Sequence, residues 1–334
     1  MSLSPQPAPT FVWPDKMPRD AIPVLITVLR ERAGMRLDKF LTIEMPRLSR
    51  TRAAKIADHF AFTATGAKLA PSRIVRAGET IVLFRPAWEE PDAPRDVTVV
   101  YEDESVLAID KPAGLPVHPS AKYHRNTLTT ILTERFPGER IALCHRLDKD
   151  TSGVIVAARS REAEITLKNA FAGRDVHKAY RAIVHGVWAE GETLIDAPLA
   201  LAGGEVSVLM CVKPEADGGM PSRTRVRVIE RLNGFTVVEA EPETGRQHQI
   251  RVHLAHAGHP IVGDKLYAHG VSYFLASLND ALDDAMRATL LLARHALHAH
   301  RITFIHPTRL VPITLEAPLP ADMLGFAKEH PSTT

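Results

Sequence analysis

The stretch HRLDKDTSGVIVAA, His145–Ala158, decides how the chain is read. Its first nine residues are mostly polar and end on Gly153. The next five, Val154 to Ala158, form a continuous apolar run, the pattern of a short strand buried on both faces, and a strand is expected over Gly153–Ala158. Asp148 therefore stands on a loop leading into a sheet, two residues after Arg146 and directly before Lys149. A loop ion pair is the default reading of one acid among bases. The alternative is a carboxylate kept ionised by nearby positive charge, available as nucleophile, base or electrostatic stabiliser.

Apolar strand-like runs recur on either side of this segment. DVTVVYEDESVLAIDKPAG reads as a hairpin, with strands at Val97–Tyr101 and Val106–Ile109 and a Pro-Ala-Gly turn. Further runs lie at Tyr180–Val187, Thr224–Ile229, Thr236–Ala240 and Ile302–Ile305. Helical periodicity falls at Thr127–Arg135, Glu162–Ala172, Gln247–Ala257 and about Tyr273–Ala296. Strands outnumber helices without alternating with them, which argues for an α+β fold with a mixed or antiparallel sheet.

The 334 residues, 45% of them hydrophobic, suffice for about two domains. Two cysteines, Cys144 and Cys211, build no disulfide framework and suggest a reducing compartment. There is no signal-peptide pattern at the start and no apolar run long enough to span a membrane, so a cytoplasmic protein without membrane attachment is expected. The net charge of +2 conceals an asymmetry: residues 30–85 carry 12 Lys/Arg against 5 Asp/Glu, while residues 89–104 hold seven acids and one arginine. A basic module followed by an acidic connection suits a polyanion bound at one end, although on charge alone a merely solvated surface is slightly favoured.

Within that basic region Leu37, Phe40 and Leu41 fall at helical spacing. Ser49 then caps a second helix with Ala53, Ile56, Ala57 and Phe60 on one side and Arg50, Arg52 and Lys55 on the other. Short strands at Ala61–Thr63 and Thr80–Phe84, with a Thr65-Gly66 turn, complete a small α/β module over residues 21–87. Residues 1–20, with five prolines, read as a disordered or surface arm, and residues 88–96 as a linker.

Two other segments carry candidate chemistry. TGRQHQIRVHLAHAGHPIVGD, Thr244–Asp264, holds Arg246, Arg251 and four histidines. His248 and His253 are five apart and no HExxH pattern occurs, so structural or RNA-facing histidines are favoured over a metal site. Arg251, beside Ile250, can offer a cation and an apolar wall to one pocket. HKAYRAIVHG, His177–Gly186, places Tyr180 near the start of a strand, where it is either a half-buried strand residue or a stacking platform for a base.

Together, EDESVLAIDKPAGLPVHPS, HRLDKDTSGVIVAAR, KAYRAIVHG, GRQHQIRVHLAHAGHPIVGDKLYA and RHALHAHRITFIHP resemble, in order, the RluA-type family of RNA pseudouridine synthases. The N-terminal module resembles the small RNA-binding domain that often precedes such a catalytic domain, with Thr65-Gly66 where that domain usually has Asn-Gly. The resemblance implies a pseudouridine synthase fold over residues 97–325, with a mixed, mostly antiparallel sheet and a central active-site cleft. It also implies the isomerisation of specific uridines in structured RNA without cofactor or metal. By the same resemblance Asp148 is the catalytic carboxylate, and Arg251, the second arginine of the motif, pairs with it. Tyr180 stacks on the uracil, Ile250 lines the pocket, and Arg146 fills the gap left by the flipped nucleotide. Arg50, Arg52 and Lys55 are the expected RNA contacts of the N-terminal module.

A monomer acting on large-subunit ribosomal RNA is the favoured expectation. The alternatives are transfer RNA, suggested by the continuation Tyr123–Thr127, a non-catalytic assembly factor, and a metal-dependent hydrolase built on the histidines. The acidic segment at 270–292 is expected to be a surface elaboration or a contact for RNA or protein partners.

Overall fold

The computed structural model describes residues 11–46, 48–85, 90–120, 122–189 and 191–332. The chain divides into two compact units, Met1–Glu89 and Glu90–Thr334.

The first unit contains β1 (Ile22–Thr27), α1 (Leu37–Glu44), α2 (Arg50–Phe60), β2 (Ala61–Thr63) and β3 (Thr80–Arg85). Its antiparallel sheet has the order β1-β3-β2. Leu37, Phe40, Leu41, Ala53 and Ala57 of the helices pack against Ile81 and Leu83 of β3. Ser49 caps α2, its hydroxyl oxygen accepting the Arg52 N–H at 3.3 Å. That packing turns Arg50, Arg52 and Lys55 to the surface. The other face of the sheet, with Phe62, Val82 and Phe84, is covered by Phe11, Trp13 and Met17. The Phe11 and Trp13 rings stand 5.9 and 5.0 Å from that of Phe84. The N-terminal arm is thus a packed layer from Phe11 onward rather than a disordered one, because its few large apolar residues find an uncovered sheet face. Its first ten residues lie outside the described residues.

The second unit contains β4 (Thr98–Glu102), β5 (Val106–Lys111), α3 (Leu128–Arg135), β6 (Ala142–Leu143), β7 (Ser152–Ala158), α4 (Arg161–Gly173), β8 (His177–His185), β9 (Glu192–Asp196), β10 (Leu199–Leu201), β11 (Met210–Val212), β12 (Arg223–Arg231), β13 (Phe235–Pro242), α5 (Gln249–His256), α6 (Val271–Leu278), α7 (Asp284–Leu290), β14 (Leu297–Ile305), β15 (Pro312–Glu316) and α8 (Ala321–Glu329). The main sheet runs β4-β5-β7-β14-β8-β13-β12-β9, with β15 added to β14 and β6 to β7. Every pairing is antiparallel except β7 with β14, which is parallel and limited to Ser152–His298 and Gly153–Ala299. The fold is α+β with a mixed, mostly antiparallel sheet.

All seven residues of β7 are buried. Ile155 and Ala157 lie in a core with Leu128, Ile131 and Leu132 of α3, while Val154 and Val156 share another with Ala163 and Leu167 of α4. Gly153 makes the parallel contact possible. Its φ is +111°, and a Cβ there would stand 2.2 Å from the Ala299 carbonyl oxygen.

Several boundaries differ from those the sequence suggested. The helix expected over Tyr273–Ala296 is two short ones, α6 and α7, interrupted at Asp280, whose φ is +53°. The expected linker falls partly on residues 88–89, outside the described residues. Its remainder is bound: Glu90 accepts the backbone N–H groups of Arg125 and Asn126, and Arg95 donates to the Arg125 carbonyl. At the other end the core runs past residue 325, since Met323 and Phe326 of α8 pack with Ile183 and Val237.

Candidate active site

The loop before β7 meets α5 beside the face of β8 that carries Tyr180. Asp148 Oδ2 accepts from Arg251 Nη1 at 2.9 Å, although 103 residues separate them. Arg251 is buried and fixed from its other side by Asp264, which accepts from Nε at 2.6 Å and from Nη2 at 2.8 Å. This bidentate pair leaves Nη1 directed at Asp148. Asp264 is fully enclosed, and its Oδ1 also accepts the N–H groups of Leu266 and Tyr267. The residue before it, Gly263 (φ +76°), lies where a Cβ would stand 2.1 Å from the Arg294 carbonyl oxygen, so this turn too requires glycine.

His248 completes the group. It caps the start of α5 in the left-handed region, φ +54°, uncommon for a residue with a side chain. Its Nδ1 lies 2.8 Å from the Tyr267 hydroxyl and its Nε2 3.7 Å from Asp148 Oδ2. The Tyr267 oxygen already accepts the Met210 N–H. Its own proton is free to go to His248 Nδ1, an arrangement that puts the ring proton on Nε2, facing the carboxylate.

Burial on its own would raise the pKa of Asp148, but the positive field of His248, Arg251 and His295, with the Arg251 hydrogen bond, holds it below the usual carboxylate value. Burial depresses both His248 and His295 to about 4, so neither is charged at neutral pH. Arg251 is then the working cation, and Asp148 is an ionised carboxylate only about a quarter exposed.

The backbone of the loop is braced from beneath. Lys111, fully buried at the end of β5, donates through Nζ to the carbonyls of Pro112, Leu115 and Lys149. The Gly114 N–H donates to that same Lys149 carbonyl. Thr151 Oγ1 meets His295 Nε2 at 2.8 Å, and Ser152 Oγ meets His298 Nδ1 at 2.9 Å. The Lys-Pro-Ala-Gly turn is thus a support for the acidic loop.

Tyr180 is half-buried and packs against two clusters, one containing Leu147, Ile155 and Ala299, the other containing Ile250. Its phenol is held in the protonated form by burial and by the charge of Asp148. Ile250 is 6% exposed. Arg146 projects outward between two anchors: Leu147, which is buried, and His145, which stacks on Phe171 at 4.6 Å and accepts the Val156 N–H. Asp148, Tyr180, Ile250 and Arg251 therefore converge, Arg146 rims the same loop, and Arg50, Arg52 and Lys55 belong to the other unit. The histidines of Thr244–Asp264 scatter: His253 bonds Thr224 and the Ala197 carbonyl, His259 bonds the His185 carbonyl and stacks on Trp188, and His256 is exposed.

Sequence reasoning missed Asp264 and His248 as members of the group. Both stand at the ends of the histidine-rich segment; the signal was the turn Gly263-Asp264, an acid fixed by a glycine.

Residues 105–256 match the family model described as RNA pseudouridylate synthase. The chain is 39% identical over 87% of its length to a protein of Xanthomonas campestris named ribosomal large subunit pseudouridine synthase D, covering 87% of it. A Pseudomonas aeruginosa protein of the same name is 38% identical over 88% of this chain and 91% of its own. The chain belongs to the RNA pseudouridine synthase family. Among solved structures, human RNA pseudouridylate synthase domain containing 1 superposes with a TM-score of 0.55 at 28% identity, over 69% of this chain and 86% of that one. The enzyme is thus an RNA pseudouridine synthase. Among the described residues no helix is long and apolar enough to cross a membrane.

Proposed function

We propose that this enzyme isomerises specific uridines of large-subunit ribosomal RNA, with Asp148 as the catalytic carboxylate. The observation that carries the assignment of Asp148 is its ionised, enclosed state against Arg251 on the face of Tyr180. The reaction breaks the bond between ribose and the uracil nitrogen and rejoins the base through carbon. Positive charge develops on the sugar as that bond breaks, and a fixed carboxylate beside it stabilises that charge; the same carboxylate is placed to attack the sugar, to add to the base or to remove a ribose proton. Arg251 keeps Asp148 unprotonated, Tyr180 offers its ring to the uracil, and Ile250 backs the pocket.

The target base must first leave its stack, at a cost of a few kcal/mol. Arg146, exposed and with no side-chain partner among the described residues, is suited to fill the gap. Arg50, Arg52 and Lys55 on α2 supply sequence-independent attraction to the RNA. The ribosomal substrate is favoured by the names of relatives aligned over most of both chains. All residues assigned to the reaction lie in one unit of one chain, which supports a monomer, and the RNA substrate and reduced cysteines suit the cytoplasm.

Mapping pseudouridine across cellular RNA with and without this protein tests the substrate: loss confined to large-subunit ribosomal RNA is expected, and loss confined to transfer RNA would replace it. Asp148→Asn is expected to abolish pseudouridine formation while RNA affinity stays within about tenfold, or roughly 1.4 kcal/mol. Full activity in that variant would overturn the assignment.

A further inference from the structure

Lys178 stands two residues before Tyr180 in β8, on the same face of the strand, since alternate residues share a face and lie about 6.6 Å apart. The side chain is half-buried. A Cβ on Gly245 would stand 3.9 Å from its Nζ, and the His145 imidazole feels its positive charge. The ammonium therefore lies between the turn entering α5 and the loop that carries Asp148. The other two lysines of this unit that are not exposed are both engaged. Lys111 donates to three carbonyls, and Lys265 meets the Asp150 carboxylate and the Ala293 carbonyl. Among the described residues Lys178 has no hydrogen bond and no ion pair, and burial pulls its pKa below the usual lysine value.

A partly desolvated ammonium without a partner is unfavourable unless an anion arrives to meet it. In an RNA substrate the uracil and ribose are neutral, so the anion is a phosphate. With a uracil on Tyr180, a phosphate of that nucleotide lies one ribose away, comparable to the distance between the two side chains along the strand.

We propose that Lys178 binds a backbone phosphate of the nucleotide whose base stacks on Tyr180, so that base and phosphate are gripped by successive same-face residues of β8. Lys178 is then a substrate-positioning residue distinct from the surface cations of the other unit. The inference rests on reading this cleft as the RNA site.

Its test is the salt dependence of binding, measured in the Asp148→Asn background so that no turnover intervenes, on an RNA fragment spanning the mapped uridine. Lys178→Met is expected to lower affinity about tenfold and to reduce the slope of log K against log salt by about 0.7, the value of one single-strand phosphate contact. Lys178→Arg is expected to retain the slope. A methylphosphonate at the bound phosphate should weaken binding of the Lys178 protein alone, and its effect should vanish in Lys178→Met, as for two changes that remove one contact. An unchanged slope in folded Lys178→Met overturns the proposal. If Lys178→Met does not fold, methylphosphonates placed one at a time around the mapped uridine replace it, and the proposal is overturned when none of them weakens binding to the Lys178 protein. Pseudouridine formation by Asp148→Asn would overturn the catalytic assignment while leaving the salt slope interpretable.

Discussion

At the scale of single residues, the site depends on one guanidinium held between two carboxylates. Asp264 takes two of the donors of Arg251 and so fixes the direction of the third toward Asp148. Removing either member has a different consequence. Arg251→Met takes away the cation hydrogen-bonded to Asp148, so the pKa of Asp148 should rise and the acid limb of the kcat profile should move to higher pH. Asp264→Asn keeps that cation but loosens its aim, so kcat should fall at every pH with no upward movement of the limb. Leaving the guanidinium short of one buried partner should also cost about 3–5 kcal/mol of stability, read from urea unfolding. An acid limb that moves upward in Asp264→Asn would show that Asp264 acts on charge rather than direction. Little of this was legible beforehand. Asp148 and Arg251 stood in recognisable motifs, but a sequence does not display that an arginine has five donors and that another acid claims two of them.

At the scale of elements, what was legible followed from burial. Strand β7, a continuous apolar run enclosed by α3 and α4, was placed within one residue, and α2 was located by its N-cap. The short strands β9, β10, β11 and β15, of three to five residues, were missed because partly exposed pairings leave no continuous apolar signal. The run expected to form one helix near the C-terminus divides at Asp280, where the backbone turns left-handed. Gly153 joins the residue and element scales: it sits where β7 and β14 run parallel for two residues, immediately after the acidic loop. Gly153→Ala would press a methyl group against the Ala299 peptide and force an unfavourable φ. A loss of about 3 kcal/mol or more is expected in chemical unfolding, together with lost activity, since the strand pair sets the height of the loop. A variant that melts with the parent protein would mean that β14 moves aside without cost.

At the scale of the whole molecule, enclosed imidazoles link stability to pH. Burial is the largest cause in each case, and it depresses His145 to about 3 and His248, His295 and His298 to about 4, from an ordinary value of 6.5. A folded-state pKa below the unfolded one means that, between pH 6.5 and 4, the unfolded chain binds protons that the folded chain refuses. Stability must then fall as pH falls through that window. The carboxylates act later: Asp148 and Asp264 are held below the usual value of 3.8, so their contribution is present above it and is lost only as pH drops further. The urea midpoint should therefore decline between about pH 7 and 5, before any acid in the site is protonated. Replacing His298 by Gln should make that decline shallower, because one refusing group is gone while the Ser152 contact can be kept by the amide. A midpoint that stays level across that range would show that these imidazoles are protonated as readily inside the folded protein as outside it.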